Sequence, residues 1–404
     1  VFWNLEAYDK AIPYFQNALI VIENTDHLDE VYAAVLDLAY TYRKQGNYEK
    51  SNEYYKKGVK LSQKLDKKIL DAKCLNEIGK NYLDFLNQSK EAIEYFKKSY
   101  EAYKAINKHS ILSTMARNIA VACWFGGQRE QALDWFEKVY EIHEEQNNTD
   151  KSLAALSELA DMHRQNGNYD VAETKYNELL RYAEEVNSNN TLQKAYRGLA
   201  RIYFDQGQYV PARQYFEKEV DVCLEMNDDL NRQDALQYLG KIAFETGDSE
   251  KAQTVYLQAA DVNKKIQNYA RAVDGYMNAA YINRMSGNLD LALEIYEIAA
   301  DLAHQVKAYE KANMCYGNIA MIHTNRGEHE ISSRYFLAAL DLCKEWGNQE
   351  MILQRMFDAA NVYERIPDYE SAAEITMQKH EFGLKIGDYA SAVRDLNNLG
   401  QIYH

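Results

Sequence analysis

Three prolines and 18 glycines are few for a chain of 404 residues. Collagen-like chains, flexible linkers and most all-β folds need more chain breakers, so all three are excluded. Cysteine is scarce as well. Cys74, Cys123, Cys223, Cys315 and Cys343 are odd in number, far apart and never in a C-x-x-C. That speaks against a disulfide framework and for a reducing, cytoplasmic setting. No run approaches the roughly eighteen apolar residues of a membrane span. Positive charge is in deficit: 46 Lys and Arg stand against 61 Asp and Glu, a formal −15. Nucleic acids and anionic membranes call for a basic surface, so neither is an expected partner. Phosphate-cradling glycine loops, H-E-x-x-H, G-x-S-x-G and calcium-loop patterns are all missing, and the nine histidines are scattered. No catalytic, metal or cofactor site is expected.

The opening VFWNLEAYDKA has no Met and is already in helical register, so it reads as a piece of a longer protein rather than a signal peptide. Sequons occur at Asn87, Asn147 and Asn189, and in so Asn-rich a chain they are expected to be chance.

What the chain has is 47% hydrophobic residues, 33 tyrosines and a period. A small residue after an apolar one, with an aromatic often three residues later, appears in DLAYTY, EIGKNY, GLARIY and NLGQIY. The small residues are Ala39, Gly79, Ala120, Ala160, Ala200, Gly240, Ala280, Ala320, Ala360 and Gly400, spaced by 40 with one step of 41. About seven residues later comes a glycine: Gly46, Gly127, Gly167, Gly207, Gly247, Gly287 and Gly327. Five beyond each stands Ala or Ser, and four further an aromatic, as in Ala132 and Phe136 or Ala172 and Tyr176. Spacings of three and four define one face of a helix. The glycine supplies the left-handed conformation that ends the first helix. Asn47, Asp248 and Asn288 after it are placed to cap the second. Small residues let two helices approach, aromatics fill the gaps, and only neighbouring units complete each buried face.

These residues resemble the tetratricopeptide repeat, which pairs a Leu-Gly-x-x-Tyr helix with a Gly-x-x-x-x-Ala-x-x-x-Tyr/Phe helix. The resemblance covers essentially the whole chain, although the usual repeat is 34 residues long and this one is 40. Longer repeats of this kind are similar to those of kinesin light chains, Pins-type spindle-orientation adaptors, rapsyn and Rap-type bacterial regulators. It implies an all-α, right-handed α-solenoid of antiparallel helix pairs in one continuous array over 1–404. Pairs are expected at 30–65, 70–106, 110–146, 150–186, 190–226, 230–266, 270–306, 310–346 and 350–385, with half repeats at 5–23 and 389–404. There are departures. The copy near Asn87 lacks the glycine, Pro367 replaces the last turn glycine, and Ala243, Asn283 and His323 replace the first-helix aromatic. They read as drift in a tolerant array. His163, His323 and Cys123 fall at that aromatic position and are expected to pack inside.

The resemblance further implies that ligands lie on a concave face lined by first helices. The positions six and three before the small residue, and one, four and five after it, would face the groove. They hold Lys73, Asn76 and Lys80, then Arg117 and Trp124, Arg164, Lys194 with Arg197 and Arg201, Gln237 and Lys241, and Arg284. Spacing alone puts Lys194, Arg197 and Arg201 on one stripe. Arginine grips carboxylates with two parallel hydrogen bonds. The expected occupant is thus an acidic or C-terminal-carboxylate segment of a protein, extended or as a short helix. The same residues read equally as solvated charges offset by Asp161, Asp234 and Asp274. The Lys-then-Asn carboxylate clamp of chaperone-binding members is not present, since the matching positions hold Asn76 with Lys80 and Arg197 with Arg201. Trp124 and Phe125 are either partner anchors or packing residues. The functional expectation is a non-catalytic adaptor, of which a cytoskeletal or motor-associated one is a version. The alternative is a peptide sensor controlling an enzymatic or DNA-binding domain elsewhere. Exposed apolar end faces would favour self-association.

Overall fold

The computed structural model describes residues 8–403, and over these the chain is all-α, with twenty helices and no strand. A lone helix, α1 (Tyr8–Ile22), comes first; residues 5–7 of the expected leading helix lie outside the described residues. Nine pairs follow, each a first helix, a tight turn and a second helix. They are α2 (Leu28–Gln45) with α3 (Tyr48–Lys64), α4 (Lys68–Asp84) with α5 (Ser89–Ala105), α6 (His109–Phe125) with α7 (Arg129–Glu145), and α8 (Thr149–Gln165) with α9 (Tyr169–Glu185). Then come α10 (Asn189–Asp205) with α11 (Tyr209–Glu225), α12 (Asp229–Glu245) with α13 (Ser249–Lys265), and α14 (Tyr269–Met285) with α15 (Leu289–Gln305). The last are α16 (Tyr309–Asn325) with α17 (His329–Trp346) and α18 (Gln349–Arg365) with α19 (Tyr369–Ile386), before a lone α20 (Tyr389–Ile402). Through α1–α9 and again through α11–α20, packing is between consecutive helices, as a solenoid of hairpins requires. The chain divides into two compact units, Val1–Ile202 and Tyr203–His404.

The turns explain the period. Each first helix but two ends at a left-handed glycine, from Gly46 (φ 87°) to Gly327 (φ 76°). The exceptions are Asn87 (φ 52°) and Pro367 (φ 34°), which hold the same slot without glycine's freedom. The turns after second helices use the same conformation but mostly other residues: Asp66, Asn107, Asn147, Asn187, Asn227, Gln267 and Lys307 all have φ between 51° and 60°. Asparagine tolerates this region because its short polar side chain bonds locally. Two sequon asparagines, Asn87 and Asn147, are therefore turn residues. Of the expected caps, Asn47 Oδ1 accepts from the Lys50 amide at 3.1 Å and Asp248 Oδ1 from the Lys251 amide at 3.1 Å. Asn288 makes no such side-chain bond, although Ala292 still closes onto its carbonyl. Asn148, Asp228, Asn348, Asp368 and Asp388 cap helices as well. Each cap contributes about 1 kcal/mol.

Inside each unit the small residues sit where aromatics press closest. A Cβ on Gly79 would come within 2.6 Å of the Phe96 ring, and one on Gly240 within 2.8 Å of the Tyr256 ring. Ala120, Ala160, Ala200, Ala280 and Ala320 are fully buried. The positions that depart from the aromatic pattern pack inside too. Cys123, Ala243 and Asn283 are buried, His323 stacks on Tyr335 at 5.8 Å, and His163 is half-buried.

All five cysteines are free and buried. Burial pushes the Cys74 thiol up to about 11 and the Cys315 thiol up to about 12. Thiolate is the reactive form, so no thiol of the native protein should react with Ellman's reagent on the time scale of minutes, and all five should react in denaturant. A rapidly labelled native thiol would contradict this burial. No described helix is long and apolar enough to cross a membrane.

Candidate functional site

The surface in question is the face of the first helices that carries the positions flanking the small residue. Its first stretch, within Val1–Ile202, is polar. Lys73 and Lys194 are exposed and make no ion pair among the described residues. Asn76 is nearly buried, and its Oδ1 accepts from Asn118 Nδ2 of the next first helix at 3.0 Å. Lys80 turns to Glu77 at 2.7 Å, and Glu77 also pairs with Arg43 of α2. Arg117 forks onto Glu158 of α8 with three contacts of 2.7–2.9 Å. Successive first helices are thus tied by a ladder of polar contacts, and several nominated cations are engaged in it. The rungs are shallow: the Arg117 side chain is 54% exposed. Such a pair contributes at most about 1 kcal/mol.

Arg164 and Arg201 are different. Both are half-buried and act electrostatically on the Tyr176 hydroxyl. Arg164 Nε lies 3.3 Å from Asp161 Oδ1, and the Asp161 carboxylate acts electrostatically on the Tyr176 hydroxyl. The Tyr176 ring is 1% exposed and lies flat against Gly198, where a Cβ would overlap it. Burial first, and Asp161 second, push the Tyr176 phenol far above its usual range, so it stays a donor. This cluster holds α8, α9 and α10 together. Arg197 on the same stripe is half-buried and also engaged. Of the Lys194–Arg197–Arg201 stripe, Lys194 alone is fully presented. Trp124 is half-buried against the core beside α6 and α7, with the Arg129 guanidinium 3.8 Å over its ring, whereas Phe125 is 74% exposed.

Within Tyr203–His404 the equivalent face changes character. Gln237 is half-buried, Lys241 is exposed with its ammonium 5.1 Å over the Phe204 ring, and Arg284 lies 5.4 Å over Tyr281. Of the acids named as offsets here, Asp234 pairs with Arg271 and Asp274 with Lys311, both at 2.6 Å. Around them stand exposed apolar side chains: Phe244, Tyr281, Met285, Met314, Met321 and Phe357. Reading the face for cations alone passed over them. Their signal lay in the sequence, since they occupy the same flanking positions and no helix partner covers those positions. Polarizable, unbranched methionines adapt to varied partners. No cluster of His, Cys, Asp or Glu suited to a metal occurs among the described residues.

Comparison with known proteins agrees with this architecture. A family model described as Tetratricopeptide repeat matches residues 30–105, 110–185, 151–225 and 191–265. Two further models of the same description match 239–305 and 314–345. No curated protein matches the chain. Similar solved structures include a Signal Transduction ATPase with Numerous Domains bearing a tetratricopeptide repeat sensor, from Pyrococcus horikoshii (14% identity, TM-score 0.49, 93% of this chain and 56% of that one). Another is the apo quorum sensor NprR from B. thuringiensis (16%, 0.44, 85% and 99%). A third is aspartyl phosphate phosphatase F from Bacillus subtilis (18%, 0.42, 67% and 70%). The chain spans just over half the length of the first of these. With more than half of its residues matched by one repeat model and the chain laid out as successive helix pairs, the chain belongs to the tetratricopeptide repeat family.

Proposed function

We propose that the chain is a non-catalytic protein-binding scaffold that captures segments of a partner on the face of its first helices. One observation carries this reading. Positions that pack are mostly small or aromatic in every repeat, whereas flanking positions range from cationic to acidic to apolar: the site after the small residue holds Lys80, Val121, Asp161, Arg201, Lys241, Tyr281 and Met321 in turn. A face that varies over a constant scaffold is an address rather than a structural need. The polar stretch, with Lys73 and Lys194 presented and Arg117 held only by a weak pair, suits an acidic segment. The stretch with Met314, Met321 and Phe357 suits apolar side chains. Five buried thiols fit a reducing, cytoplasmic setting.

Once a partner is captured, two double variants test this by titration calorimetry. Lys73→Glu with Lys194→Glu, or Met314→Ser with Met321→Ser, is expected to weaken binding about tenfold or more, with helicity and melting unchanged. Arg201 is unsuited to the test because its reversal would disturb the Tyr176 cluster. If both variants bind as tightly as the parent, the first-helix face is not the capture surface.

A further inference from the structure

The charge of the chain is not evenly spread. Between Arg43 and Lys108 lie sixteen of the 46 Lys and Arg but only nine of the 61 Asp and Glu. That stretch carries a formal +7, and the remainder carries −22. The same stretch contains a cleft of about 840 Å³ between α3 and α5, floored by α4. Leu75 and Ile78 form its floor, with Val59 and Tyr95 on its walls. Lys56, Lys60, Lys97 and Lys98 rim it. Lys60 and Lys97 are exposed and make no ion pair among the described residues. Lys56 rests 5.8 Å over the Tyr95 ring, and Lys98 reaches Glu94 at 2.6 Å while 53% exposed.

This cleft is not part of the first-helix face. At 100° per residue, Asp71, Leu75 and Ile78 fall on one side of α4, while Lys73, Asn76 and Lys80 fall roughly 170° away. The floor also holds an unsatisfied acceptor: Asp71 Oδ1 is buried with no hydrogen-bond partner among the described residues. Burial raises the Asp71 carboxyl above its ordinary range.

We propose that the α3–α4–α5 cleft is a second docking surface, and that it takes an acidic amphipathic helix of a partner protein. Apolar side chains one turn apart enter between the helices, and flanking carboxylates meet the lysine rim. The volume suits a few side chains, and the lysine rim complements acidic ones. A basic rim around an apolar floor excludes a purely apolar or a basic occupant.

The test uses the full chain and a labelled synthetic helix of about 16 residues, with leucines one turn apart on one face and glutamates elsewhere. Fluorescence anisotropy should show saturable binding that weakens as salt rises from about 50 to about 300 mM. Lys56→Glu, Lys60→Glu and Lys97→Glu together should weaken it about tenfold or more. Exchanging the peptide's leucines for serine should do the same, whereas Lys73→Glu with Lys194→Glu should leave it unchanged, which separates this surface from the first-helix face. The proposal is overturned if the peptide does not bind, if the triple variant binds it equally, or if the serine peptide binds as well. It is also overturned if vesicles containing anionic lipid take up the chain and displace the peptide, since the rim would then be a membrane surface.

Discussion

Gly198→Val is expected to lower the stability of the Val1–Ile202 unit by about 3 kcal/mol. A glycine inside a helix ordinarily costs about 1 kcal/mol relative to alanine, so propensity alone favours adding a side chain there. At Gly198 contact outweighs propensity. The Tyr176 ring occupies the space a Cβ would need and is 1% exposed. To make room the ring must leave a buried site. Gly198→Ala should show a smaller loss, and adding Tyr176→Leu should recover part of it because the obstacle is gone. Gly400 supplies the opposite sign. It sits in α20 with nothing within 4 Å of a Cβ, so Gly400→Ala should stabilise by roughly 1 kcal/mol. Urea unfolding of the four variants decides the matter. A Gly198→Val protein as stable as the parent would show that the ring does not hold this position.

The second large effect lies in the other unit. Lys379 is 7% exposed and Asp395 2%, and they pair at 2.5 Å with Ser391 Oγ 3.2 Å from the ammonium. Equivalent positions in preceding repeats are Ala339 and Ala299 for Lys379, and Cys315 and Gly275 for Asp395 beyond the charged Arg355, so the pair departs from an interior that is usually small or apolar. Breaking a buried pair strands a charge and costs about 3–5 kcal/mol, whereas replacing both partners with apolar groups of similar size is often neutral or stabilising. Asp395→Ala should therefore release α20 from α19, read as loss of amide protection across Tyr389–Ile402. Lys379→Met combined with Asp395→Leu should restore that protection. If the single variant keeps full protection, or the double variant is as damaged as the single, the pair does not dock α20.

The helix pairs were legible because the backbone makes the same demand every forty residues. A glycine ends the first helix, a small residue admits a ring, and an aromatic fills the gap, each at fixed spacing. The complementary turns were present but went unread. Asn107, Asn147, Asn187 and Asn227 recur at the same interval, yet asparagine is tolerated rather than required in the left-handed region and is common in this chain. The first-helix face was legible only in outline. Arg117 and Glu158 lie 41 residues apart and in sequence look like two independent surface charges. The importance of Gly198 was hidden because it depends on where the Tyr176 ring comes to rest. The lysine-rimmed cleft was hidden by averaging, since a total of −15 conceals a stretch of +7.

The constancy of the period has a mechanical consequence. Within each compact unit the hairpins rest on their immediate neighbours, and each comprises nearly the same number of residues. Under tension such a chain yields by detaching hairpins singly, and forty residues drawn straight release on the order of 130 Å. A tether with equal increments gives way in measured steps, so a load hung on one segment would lengthen the chain without dissolving the surfaces farther along it.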